Sequence, residues 1–166
     1  MTTTLATPQP HHPAPPVTEH TDRADDDVWH ELAEHGLRRY TARTAAAVGA
    51  GPGAAWSEWA DAPRAYIALE GRLPDHPDRD AALIWAAEHG WAVAVETGCG
   101  EDLLITASLD GDVLPEPEAV AAFVRAELAG RRADMCARTR AAAAGDCTRR
   151  LVDWAGRESP LEDQTG

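Results

Sequence analysis

The sequence predicts an α+β domain: an N-terminal helix, an antiparallel meander of three or four strands, a C-terminal helix packed on the sheet, and an extra helical tail. Three observations carry that class. Apolar residues recur at helical intervals from Val28 to Val48 and again from Val120 to Leu128. Between those stretches they alternate, most clearly at Leu103, Ile105, Ala107 and Leu109. Gly and Pro clusters such as Gly49–Gly53 and Leu73–Asp80 punctuate the segments. Strands grouped together and flanked by helices imply helices gathered on one face of an antiparallel sheet.

The chain divides into three regions. Residues 1–27 are rich in Thr, Pro, His and Asp and lack apolar periodicity, so they read as a disordered arm. His11 and His12 lie in it without further ligands at defined spacing. Residues 28–130 read as a single α+β domain, and 131–166 as a helical extension with a frayed end. Within that extension Cys147, Leu151 and Trp154 share one helical face. Burying such side chains is worth roughly 1.5–3 kcal/mol each before ordering costs. The segment is therefore expected to dock, on its own domain or on a second copy.

In the first helix, Leu32, Tyr40, Thr44 and Val48 form the apolar stripe, with Leu37 and Trp29 close to it. Gly36 interrupts the middle and leaves open whether it is one helix or two. Trp56–Trp59 and Tyr66–Leu69 read as short strands. "ALIWAAEHGWAVAVET", Ala82–Thr97, reads as a hairpin, because β-branched residues alternate after Gly90. A two-residue His89-Gly90 turn would set Glu88 opposite Trp91, Ala86 opposite Val93 and Ile84 opposite Val95. Ile84, Ala86, Trp91, Val93 and Val95 would then form the core face. Leu83, Trp85, Ala92, Ala94 and Glu96 would lie on the other. In the last helix of the domain, Pro117 suits the first helical position and Gly130 the residue past the end. Val120, Phe123, Val124 and Leu128 make its apolar stripe.

Composition limits function more than it defines it. All 15 basic residues are Arg, against 28 acids, for a net charge of −13. The acid excess lies before Gly130, and the body should repel nucleic acid and anionic membrane. A basic protein partner suits it better. No run of about 18 apolar residues marks a membrane helix, and the N-terminal stretch lacks the regions of a secretory signal. A reduced, cytoplasmic setting is expected. Cys99, Cys136 and Cys147 form no metal-binding pair by spacing.

Few residues resemble a catalytic set. His76, Asp78 and Asp80, with Asp75, are the densest group of oxygen and nitrogen ligands, but two prolines interrupt and no calcium-loop pattern follows. They suit turn capping better. Glu96, Glu101 and Asp102 flank a turn, where carboxylates are usually solvated. Cys99 sits between glycines among acids, a setting that disfavours a thiolate. No cofactor, metal or catalytic residue is expected. The tryptophans remain. Trp91 belongs to the core, whereas Trp85, on the mixed face with Glu96, is the expected binding anchor, with Trp56 and Glu96 as further candidate binding residues.

The block containing "LPDHPDRD", "EHGWA", "GEDL" and "GDVLPEPEAV" resembles an actinobacterial family of small domains of unknown function, over roughly Leu37–Leu128. The resemblance supports the domain boundary and implies no activity, cofactor or site residue. The expected function is non-enzymatic protein binding, in the manner of an adaptor or chaperone, through a Trp-bearing sheet face, with a second copy of the chain as another candidate partner. The competing expectations are a small metal-dependent hydrolase centred on His76, Asp78 and Asp80, and an acidic mimic of DNA.

Overall fold

A computed structural model describes residues 20–98, 102–131 and 144–156, the side chains of 20–24, 144 and 145 excepted. Helix α1 spans His20–Val48. A short 3-10 turn at Pro52–Ala54 leads into β1 (Ala55–Trp59), β2 (Pro63–Ala68), β3 (Ala81–Ala86), β4 (Gly90–Glu96) and β5 (Leu103–Ser108). Helices α2 (Pro117–Leu128) and α3 (Ala144–Ala155) follow. The sheet is a five-stranded antiparallel meander in chain order, one strand more than the upper expectation. Helix α1 packs along β1 and β2, α2 touches β4, and both α2 and α3 pack on α1.

Helix α1 begins at His20, eight positions before the expected boundary at Val28, and it is continuous through Gly36. Its buried stripe is Ala33, Gly36, Leu37, Tyr40, Thr41, Thr44 and Ala45. Leu32 and Trp29 are exposed, which corrects their placement on or near the apolar stripe, and Val28 is exposed as well. Gly36 is explained by what it touches. A Cβ there would sit 1.7 Å from the Leu151 carbonyl oxygen. The glycine that weakens the helix locally lets the α3 backbone lie directly on α1. Cys147, Leu151 and Trp154 are all buried, so the extension joins the domain's own core.

The hairpin forms, but in a different register. Ala86 pairs with Gly90, so three residues rather than two make the turn, and the His89 N–H donates to the Ala86 carbonyl at 3.1 Å. Gly90 adopts φ 69°, a left-handed conformation that suits glycine. Trp85 now opposes Trp91, and Leu83 opposes Val93. Because side chains alternate with period two, an odd shift in register exchanges the faces of one strand. The faces of β4 are as expected, while those of β3 are reversed. Leu83 and Trp85 turn inward with Trp91, Val93 and Val95, and Ile84 and Ala86 turn outward. The reversal pairs the bulkiest side chains beneath the helices, where they bury the most apolar area.

The core carries a small polar network. The Trp91 Nε1–H donates to the Tyr40 hydroxyl at 2.9 Å, and Tyr40 donates to the Pro115 carbonyl at 2.8 Å. The Trp85 Nε1–H donates to the Val113 carbonyl at 2.6 Å. The rings of Trp85, Trp91 and Trp154 surround Tyr40, the last at 5.0 Å. Arg150 of α3 grips Asp112 through two hydrogen bonds of 2.6 and 2.7 Å and adds a third to the Leu114 carbonyl. One stretch, Asp112–Pro115, thus receives donors from α1, β3 and α3. The Gly130 and Arg131 N–H groups close α2 on the Glu127 and Ala126 carbonyls, the bonding pattern of a Schellman cap.

Candidate interaction surface

Helices occupy one face of the sheet. On the other, register alone places Trp56 beside Tyr66, Tyr66 beside Ile84, and Ile84 beside Ala92. One step along, Ala68, Ala82 and Ala94 form a row across three strands. That row has a purpose in packing. The Tyr66 hydroxyl donates to Glu96 Oε1 at 3.2 Å, from β2 to β4, and so must cross β3. Alanines leave room for the phenol to do so, and Ala82 and Ala94 are fully covered.

Trp56 stacks on the Tyr66 ring with centroids 5.8 Å apart and planes within 10°. Such a pair is worth about 0.5–1.5 kcal/mol beyond its area. Burial raises the Tyr66 pKa, and the hydrogen bond and charge of Glu96 raise it further, so the phenol stays a neutral donor. Trp56 itself remains 51% exposed. It borders a hollow of about 600 Å³ with Tyr66, Ile84, Ala92 and Ile105 along the sheet, and Asp61, Arg64 and Glu88 among the residues at its limits. Leu103, Leu104 and Ile105 of the edge strand β5 are also exposed. A β-bulge at Val93/Ala94 accompanies that edge, where the Thr106 hydroxyl donates to the Val93 carbonyl.

The sequence-derived site residues separate on this geometry. Trp85 is only 2% exposed, with its N–H bonded inside the core, so it cannot anchor a partner in this state. The reason is the register of the hairpin. Trp56 and Glu96 both lie on the open face, bridged by Tyr66. Tyr66 was missed because its strand was read without a pairing partner. Its position opposite Trp56 follows only once the β1–β2 register is known.

Two arginines tie the acidic loop to its surroundings. Arg72 donates to the Pro77 carbonyl and to Asp80, and Arg79 donates to the Glu96 carbonyl. Among the described residues, no three His, Cys, Asp or Glu side chains stand close enough together to hold a metal ion. Cys99, Cys136, Glu101, His11 and His12 lie outside the described residues. Cys147 is buried, and burial pushes its thiol up to about 11, the opposite of an activated nucleophile. No described helix is long and apolar enough to cross a membrane.

Fold and surface together define a small α+β domain with helices on one face of an antiparallel sheet and an aromatic patch on the other. Residues 40–126, more than half of the chain, match a family of unknown function, DUF6292, and the chain belongs to that family. Among curated proteins and among solved structures, none matches the chain.

Proposed function

We propose that the domain is a non-enzymatic protein-interaction module, adaptor or chaperone-like, that holds a basic segment of a protein partner on its open sheet face. One observation carries the reading: Trp56 is half exposed, yet its ring is fixed in a parallel stack on Tyr66, which Glu96 tethers. A rigid aromatic that presents a free face is a low-entropy anchor. An Arg or Lys side chain laid over it gains about 0.5–1 kcal/mol at an exposed site. Glu58, Asp61 and Glu88 surround the patch with negative charge, opposed by Arg64. The net charge of −13 draws a basic partner toward the whole body. Leu103 and Ile105 of β5, paired with Glu96 and Ala94, extend the same surface.

The test compares wild type with Trp56→Ala in two assays. In an NMR titration, a deca-arginine peptide should shift the signals of Trp56, Tyr66, Ile84 and Ile105. In pull-down from a native lysate, wild type should retain a protein that the variant loses, and added salt should weaken the capture. Shifts elsewhere on the surface, or a captured set unchanged by the substitution, would overturn the reading. Light scattering decides whether a second copy occupies the face instead. In that case Trp56→Ala would convert a dimer to a monomer.

A further inference from the structure

A second hollow, of about 650 Å³, lies between α1 and the edge strand β1. That volume falls within the roughly 300–1,000 Å³ of small-molecule pockets. Thr41 and Ala45 are its buried lining residues; Pro52, Trp56 and Ser57 also line it, with Arg38 among its exposed residues. The lining is mostly apolar with a few polar groups, as in ligand sites generally.

Thr41 is the anomaly. Its side chain is 2% exposed, and its hydroxyl is buried without a hydrogen-bond partner among the described residues. Helical threonines have a ready solution, and Thr44 uses it by donating to the Tyr40 carbonyl at 2.9 Å. Thr41 does not make the equivalent bond. An unpaired buried hydroxyl destabilises a fold, so one that borders an apolar hollow calls for something that pairs with it. The one charged lining residue, Arg38, is already engaged by Glu34 one turn earlier. The hollow therefore offers an incoming molecule apolar contact and the hydroxyls of Thr41 and Ser57, with its one charged residue already paired.

We infer that the α1–β1 hollow binds a neutral, largely apolar small molecule whose single hydroxyl or carbonyl group pairs with Thr41. A threonine has two accessible rotamers in a helix, so its hydroxyl turns toward such a ligand without any backbone movement. The site is separate from the open sheet face. Only Trp56 borders both.

Benzyl alcohol and toluene, alike in shape and different by one hydroxyl, are the probes. In an NMR titration of the full chain, both should shift the amides of Thr41, Ala45 and Ala46. Benzyl alcohol should bind about tenfold tighter, the effect of satisfying one buried polar group. Thr41→Val keeps the shape and removes the hydroxyl. It should leave toluene affinity unchanged, abolish the preference for the alcohol, and give an unliganded melting temperature no lower than wild type. Ala45→Leu should fill the hollow and stop both probes. Equal affinities in wild type, a preference that survives Thr41→Val, shifts that avoid the hollow, or a lowered melting temperature in Thr41→Val would each overturn the assignment. None of these variants replaces Trp56, and the partner-binding reading is tested by its own substitution, so failure here leaves that reading intact.

Discussion

The Trp91 indole N–H donates to the Tyr40 hydroxyl at 2.9 Å, joining β4 to α1 across 51 residues of sequence. Tyr40 in turn donates to the Pro115 carbonyl, so a single oxygen links helix, sheet and the segment that precedes α2. Burial drives its pKa up, more than the Trp91 N–H lowers it, which favours the neutral donor. Tyr40→Phe should keep the ring contacts and leave Trp91 and Pro115 unpaired. Leaving such groups buried costs about 1–3 kcal/mol. Urea unfolding should show that loss as a lower midpoint with an unchanged slope.

Gly36→Ala offers a cleaner discrimination between local and tertiary effects. Helix propensity alone makes the change favourable by about 1 kcal/mol. The new methyl would meet the Leu151 carbonyl at 1.7 Å, backbone that cannot step aside. The variant should therefore be less stable, with α3 displaced. Hydrogen exchange over residues 144–156 should accelerate while the sheet stays protected. A more stable variant would show that α3 does not lie where the structure puts it.

The Arg150–Asp112 pair makes α3 docking sensitive to acid. Hydrogen bonding to Arg150 lowers the Asp112 pKa, against the opposing effect of partial burial. A depressed carboxylate stabilises the folded state fully above its unfolded value of about 3.9, and that stability is lost as the pH falls through the lower folded value. The pair is partly exposed, so the effect is modest. Asp112→Asn should reduce stability at neutral pH and flatten the acid limb of the stability curve below pH about 4. An acid limb identical to wild type would contradict the pairing.

Cys147 reports the same docking from the opposite end of the pH scale. Its thiol is pushed up to about 11 by burial. A raised pKa adds stability below the unfolded value of about 8.5, which fades as the pH rises toward the folded one. Peptide-resolved iodoacetamide labelling at pH about 8 should therefore leave Cys147 unmodified in the native protein. Gly36→Ala should expose it. Rapid labelling in wild type would mean that α3 opens freely.

The α+β class, the two flanking helices, the β5 strand and the packed face of α3 were legible in the sequence because each rests on local periodicity. Cys147, Leu151 and Trp154 share a helical face whatever they dock on. Membership of a family of unknown function was expected too, and a family of that description matches residues 40–126. Three things were not legible in local periodicity. The hairpin register depended on whether two or three residues made the turn at His89, and period-two alternation amplified that one step into the burial of Trp85. The start of α1 lay in a polar, acidic stretch whose helicity no apolar pattern announces. The candidate surface joins Trp56 on β1, Tyr66 on β2 and Glu96 on β4, residues that share no sequence spacing. Periodicity constrains which way a side chain points within its own strand; only the pairing of strands determines which side chains meet.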